Sequence, residues 1–219
     1  NFYFLEMNTR LQVEHGVTEW ITDVDIVQQQ LRIAAGEPLE IAQRDVAVNG
    51  WAIECRITAE DPTNGFLPAT GRVTSLFEPS GPGVRVDSAL YEGFEVSPYY
   101  DPLLSKLIVW GETREAAIGR MRRALDEYRI TGVPTSIPFC KQVLETEAFV
   151  AGTYDTGFIE RHAPREAPER AHYRETAAIA AVLLHHQRRQ RGENGPSSAG
   201  GDQGVNPWKL VGRREAMGR

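Results

Sequence analysis

From residue 4 to residue 14 the chain reads FLEMNTRLQVE, and apolar and polar letters alternate. Leu5, Met7, Leu11 and Val13 fall on one parity, Glu6, Asn8, Arg10, Gln12 and Glu14 on the other. Successive side chains of a strand point to opposite faces, so the pattern predicts a half-buried strand with a densely polar outer face. Over 17–39 the period changes: Trp20, Val24, Ile26, Val27, Leu31 and Ile33 follow roughly helical spacing, with Gly36 as a stop. Alternation returns in VNGWAIECRITAED (48–61), around Ala52, Glu54 and Arg56. RVTSLFEP (72–79), GPGVRVDSAL (81–90) and a stretch centred on Lys106 to Trp110 predict three further strands. REAAIGRMRRALDEYRI (114–130) places Ala117, Ile118, Met121, Ala124, Leu125 and Tyr128 on one stripe of an amphipathic helix. Two or three shorter helices close this unit by about residue 163. Mixed strands followed by packed helices give an α+β domain.

The remainder differs in kind. HAPREAPERAHYRE is charged and interrupted by proline, which suits a connector leading into a helix across 172–191. RGENGPSSAGGDQGVNP (192–207) has the composition of a flexible linker, and WKLVGRREAMGR begins something with one or two apolar anchors. At the other end the chain opens at once on an apolar strand, and we read the whole as part of something longer.

Composition narrows the classes. The 219 residues are 41% hydrophobic and 25% charged, ordinary for a globular protein, and the net charge of −6 offers no basic footprint for nucleic acid. Cys55 and Cys140 make neither a metal cluster nor a disulfide scaffold, so a reducing compartment is the default. The longest apolar run, AAIAAVLL at 177–184, is far short of a membrane span.

The polar parity of the opening strand is where chemistry concentrates. Glu6 and Asn8 offer a carboxylate and an amide oxygen two residues apart, a donor set for a hard cation that keeps phosphate oxygens in its shell. Arg10 brings a fork of donors suited to a carboxylate, phosphate or bicarbonate, Gln12 adds an amide, and Glu14 can accept a proton. Elsewhere the residues read more plainly. His15 reads as a hydrogen-bonded structural histidine, and Glu54 with Arg56 as a pair tying strands together. Lys106 reads as positioning Asp101 or a neighbouring loop. Arg85 reads as a surface arginine paired with Asp87, which faces the same way. The cluster Arg188, Arg189 and Arg191 reads as a helix C-terminus favoured by the helix dipole.

FYFLEMNTRLQVEHGVTEWITDVDIVQQQLRIAAG closely resembles the biotin carboxylase component of biotin-dependent carboxylases, in the part of the ATP-grasp domain nearest its C-terminus. The resemblance continues through AIECRITAEDPTNGFLPATGRV, GVRVDS, YYDPLLSKLIVWGETREAAIGRMRRAL and TGFIE, and covers about residues 1–163. It implies the end of an ATP-grasp domain (1–45), the mixed sheet-and-helix biotin carboxylase C-terminal domain (46–163), and a helical and linker tail. That tail divides into a connecting helical segment (164–191) and a linker leading into a carboxyltransferase-contact domain (192–219). WKLVGRREA leans towards the α subunits of acyl-CoA, propionyl-CoA or methylcrotonyl-CoA carboxylases; residues 1–163 are equally compatible with pyruvate carboxylase. Other ATP-grasp ligases share the Glu-x-Asn pair but not RLQVEH together with GVRVDS.

The resemblance further implies carboxylation of carrier-bound biotin with ATP and bicarbonate. Glu6 and Asn8 would hold magnesium (or manganese). Arg10, Gln12 and the Val13 N–H would bind bicarbonate and the phosphate derived from it, and Glu14 would take the bicarbonate proton. Arg85 would stabilise the oxyanion of biotin, with Asp87 orienting it. The implied partners are a biotinylated carrier domain, a second copy in a homodimer, and a carboxyltransferase subunit. The implied location is the cytoplasm, or the mitochondrial matrix in a eukaryote. In the family the phosphate-binding lysines, a glycine-rich lid and another magnesium carboxylate come from the part of the ATP-grasp domain before the opening strand. No AMKM-type biotinylation motif occurs in the sequence. The chain by itself is therefore expected to be inactive, serving alternatively as a dimerisation or subunit-contact module.

Overall fold

The computed structural model describes residues 2–162, 179–183 and 186. The chain divides into two units, Asn1–Ala167 and Pro168–Arg219. In the first, helices α1 (His15–Thr22) and α2 (Ile26–Ala34) precede the sheet strands β1 (Trp51–Thr58), β2 (Glu60–Asp61), β3 (Leu67–Pro68), β4 (Gly71–Arg72) and β5 (Ser75–Phe77). Then follow β6 (Val84–Ser88), β7 (Glu95–Val96), β8 (Leu103–Gly111), α3 (Arg114–Glu127), β9 (Arg129–Thr131), α4 (Ile137–Glu145), α5 (Glu147–Ala151) and α6 (Phe158–His162). In the second unit the described residues 179–183 and 186 are helical; the rest of the predicted 172–191 helix and the 192–219 linker lie outside the described residues.

The organising element is an antiparallel sheet in the order β1-β8-β6. Its register sets Cys55 opposite Leu107 and Leu107 opposite Val86, so these three side chains share one face. That face is apolar. It packs on α3, whose Ala117, Ile118, Met121, Ala124 and Leu125 are buried as the helical stripe predicted. Ile57, Leu107, Val109, Met121 and Leu125 have no exposed surface, each contributing about 1.5–3 kcal/mol by leaving water. Thr113 caps α3, its hydroxyl accepting from the Ala116 N–H at 3.2 Å. A Cβ on Gly111 would lie 2.5 Å from the Ala117 amide nitrogen, so only glycine lets the end of β8 meet α3 this closely. A second cluster of Ala59, Val73, Val96, Leu104 and Val133 holds the short strand pairs β4–β7 and β5–β9 beside the main sheet.

Three sequence expectations are corrected. Residues 2–14 form no strand: Phe2, Tyr3, Phe4, Leu5 and Met7 are 72–97% exposed, and no strand among the described residues pairs with them. Alternation writes two faces, but a strand needs a ladder partner as well. The helical stretch 17–39 is two helices, because Asp23 turns to φ 57° and ends α1, while Asp25 starts α2 by accepting from the Gln28 N–H at 2.7 Å. The predicted strand 72–79 is two short strands, β4 and β5, which pair with β7 and β9.

Candidate active site

The other face of the sheet is polar. Arg56, Lys106 and Asp87 stand abreast across β1, β8 and β6, and one register step away Glu54 and Arg85 flank Ile108. Strand alternation puts these residues on the side opposite α3. The segment leading into α1, and α1 itself, meet this face: Val13, Glu14, His15 and Glu19 all bond to it.

Arg56 is the arginine that reaches Glu14. Its Nη2 donates to Glu14 Oε2 at 2.8 Å, and its Nε donates at 3.4 Å to Oε1 of Glu54. Glu14 in turn lines a pocket of about 320 Å³ together with Arg10, Gln12, His15, Thr18 and Gln30. The Gln12 Nε2 is buried and without a partner among the described residues, a donor set beside the pocket with nothing to donate to. Among the described residues the guanidinium of Arg10 donates only to the carbonyl of its neighbour Leu11, at 3.3 Å. Unused donors beside a carboxylate and a second guanidinium fit a small oxyanion. Burial pushes the Glu54 carboxyl up, a shift that the Arg56 contact partly opposes, and its Oε2 is buried without a partner among the described residues.

Arg85 goes elsewhere. It binds Asp87 with two parallel bonds, Nε to Oδ1 at 2.7 Å and Nη2 to Oδ2 at 3.0 Å, while Nη1 donates to Glu19 Oε2 at 2.6 Å. It does not line the pocket shared by Arg10, Gln12 and Glu14. The expectation that Arg85 reaches into that group is therefore corrected: strand alternation points it at α1, where Glu19 engages the donor that Asp87 leaves free. Burial alone would raise the carboxyls of Glu19 and Asp87. For Glu19, bonds from Arg85, contact with His15 and the Ile26 N–H outweigh it; for Asp87, Arg85 and Lys106 do so. Both groups are held below their ordinary values.

Lys106 does not contact Asp101. Its ammonium lies 3.0 Å from Asp87 Oδ2, 3.0 Å from the Val13 carbonyl oxygen and 3.1 Å from His15 Nε2. An ammonium only donates, so His15 Nε2 accepts and the ring proton sits on Nδ1, 3.1 Å from Glu19 Oε1. His15 is thus buried and structural, as read from the sequence. Glu19 was missed. Its one sequence signal is its i+4 spacing from His15, which is too common to single it out.

Glu6 and Asn8 are exposed and make no hydrogen bond or ion pair with any described residue. Their free oxygens are of the type magnesium takes, so the residues present fit such an ion if phosphate oxygens and water complete its shell. Among the described residues no three His, Cys, Asp or Glu side chains converge on a metal site, and no helix is long and apolar enough to cross a membrane.

Comparison with known proteins places this geometry. Residues 1–42 match the family "Carbamoyl-phosphate synthase L chain, ATP binding domain", and residues 54–161 match "Biotin carboxylase C-terminal domain". A pyruvate carboxylase subunit of Methanothermobacter thermautotrophicus is 53% identical over 74% of this chain and 33% of its own length. The propionyl-CoA carboxylase alpha chain of Ruegeria pomeroyi is 47% identical over 83% of this chain and 30% of its own. The chain thus spans about a third of the length of the curated relatives it matches. Among solved structures, the biotin carboxylase domain dimer of Hydrogenobacter thermophilus 2-oxoglutarate carboxylase, in complex with MgADP, ADP and bicarbonate, is 51% identical with a TM-score of 0.72. That match covers 74% of this chain and 36% of the other. Ordered motifs, an α+β fold and matches running through both parts agree: the chain belongs to the biotin carboxylase family, carrying the end of its ATP-grasp domain and the C-terminal domain that follows.

Proposed function

We propose that this chain works as the C-terminal part of the biotin carboxylase unit of a longer subunit, which carboxylates carrier-bound biotin using ATP and bicarbonate. The observation that carries the reading is the Arg56–Glu14 pair, formed across 42 residues of sequence at the wall of the pocket that Arg10 and Gln12 share. In this mechanism Arg10 grips bicarbonate with two parallel donors, while the Gln12 amide and the Val13 N–H add donors to the same anion. Glu14 accepts the bicarbonate proton. A carboxylate is a weak base for that proton, so the transfer accompanies attack on the γ-phosphate instead of preceding it. Arg56 holds the Glu14 carboxylate in place and presents a fixed cation where negative charge develops on the ureido oxygen of the acceptor. The role that the family resemblance gave to Arg85 passes to Arg56, because Arg85 is engaged by Asp87 and Glu19. Magnesium bound at Glu6 and Asn8 would neutralise charge on the ATP phosphates.

The segment boundaries at residues 45, 163 and 191 follow the motifs and composition. An acyl-CoA type carboxylase is supported by WKLVGRREA and by the propionyl-CoA carboxylase alpha chain, whose match covers more of the chain than that of the pyruvate carboxylase relative. A homodimer and a separate biotin carrier follow from family membership, the former with a dimeric relative as support.

The test compares the longer subunit with residues 1–219 alone. With MgATP, bicarbonate and free biotin, the longer subunit is expected to hydrolyse ATP in a bicarbonate- and biotin-dependent manner, and the isolated chain to stay at background. Turnover by the isolated chain would show that it needs no further residues. A longer subunit whose ATP hydrolysis ignores both co-substrates would remove the proposed function.

A further inference from the structure

We infer that Lys106 is the positioning residue of the anion site. It acts through the backbone of Val13 rather than by touching substrate, and this inference rests on the bicarbonate reading above. The ammonium has three protons and three acceptors within 3.1 Å: Asp87 Oδ2, the Val13 carbonyl and His15 Nε2. Its side chain is 13% exposed, so water offers little competition for those protons. Each acceptor belongs to a different part of the fold. Asp87 is on β6, Val13 precedes α1, and His15 is the first residue of α1. Lys106 itself stands on β8, the central strand of the sheet.

The carbonyl that Lys106 grips belongs to the peptide joining Val13 to Glu14. Fixing that peptide plane fixes where the Glu14 Cα enters α1, and with it the reach of the Glu14 carboxylate towards Arg56. It also restrains Val13, whose N–H has no acceptor among the described residues and is free to donate to an anion. Asp87, shared with Arg85, and His15, backed by Glu19, keep the ammonium from swinging away. The loop that carries Gln12, Val13 and Glu14 has no regular secondary structure of its own. Two backbone bonds tie it to the first turn of α1, His15 N–H to the Gln12 carbonyl at 3.3 Å and Val17 N–H to the Glu14 carbonyl at 3.1 Å. Lys106 ties the backbone of this loop to the sheet, beside the side-chain bond from Arg56 to Glu14.

The experiment measures steady-state ATP hydrolysis by the longer subunit, with bicarbonate and ATP varied separately. Lys106→Met is expected to lower kcat/KM for bicarbonate about tenfold while KM for ATP stays within twofold. Removing one cation leaves Asp87 short of a partner, which can cost folding by itself. The double variant Lys106→Met with Asp87→Asn removes both charges and is expected to fold with the same bicarbonate defect. A folded variant with kcat/KM for bicarbonate at the wild-type value, or with KM for ATP rising as much as that for bicarbonate, would overturn the inference. Failure of both variants to fold would assign Lys106 to stability alone and overturn it too. If the wild-type subunit itself showed no bicarbonate dependence, the function proposed above would fail instead, a result read from the control.

Discussion

Replacing Arg56 with alanine in the longer subunit is expected to lower biotin-dependent turnover by about 10²–10³-fold, the range for losing one fixed donor at a developing oxyanion. KM for ATP should change by only a few-fold, since no described contact of Arg56 leads to the proposed magnesium pair. Arg56 is half exposed, and one of its bonds goes to Glu14, the proposed proton acceptor; the other is a long one to Glu54. Its guanidinium therefore keeps donors for a substrate while its position is set from two sides. Arg56→Lys should recover only a small part of the rate, because a single ammonium cannot hold Glu14 and face a second oxygen in the same fixed geometry. Turnover within threefold of wild type for Arg56→Ala would remove this residue from the chemistry.

Arg85→Ala is expected to do the opposite: to cost about 2–3 kcal/mol of stability while the folded protein keeps most of its turnover. Arg85 makes three hydrogen bonds to two carboxylates, and its side chain is 32% exposed, so solvent screening trims the cost below that of a fully buried pair. The loss should depend on pH, with a sign that can be worked out. Glu19 and Asp87 are held below their ordinary values of 4.5 and 3.8. Their contribution is therefore complete above those values and drains away as pH falls through the lower, folded-state ones. Urea unfolding of wild type and variant should differ most near neutral pH and converge as pH falls below the ordinary carboxylate range. A gap that widens on acidification would contradict the assignment. So would a variant that is fully stable and catalytically dead.

How much of this could be read from sequence depends on which interactions are local. The α3 stripe was legible because six apolar side chains at helical spacing leave one way to bury them. The strands around Glu54, Arg85 and Lys106 were legible for the same reason at period two, and the short helices after β9 followed. Register was not legible. Alternation says that Arg56, Lys106 and Asp87 each face away from the apolar side of its own strand, but not that pairing sets them abreast. That alignment is what separates Arg56, which reaches Glu14, from Arg85, which reaches Glu19. Two arginines with like neighbours in short polar motifs cannot be told apart until strand pairing is known. The opening stretch failed in the other direction. Its alternation is real, yet Phe2 to Leu5 stand in solvent, since hydrophobic pattern and ladder are separate requirements and only the first is written locally.

The central claim is that Arg10, Gln12, Glu14 and Arg56 surround one small oxyanion. A crystal structure of the longer subunit with MgADP and bicarbonate tests it most directly. Bicarbonate is expected within about 3 Å of the Arg10 guanidinium and the Gln12 amide, with Arg56 still bonded to Glu14 beside it. Bicarbonate bound by Arg85, with the Arg56–Glu14 pair remote from it, would contradict the account.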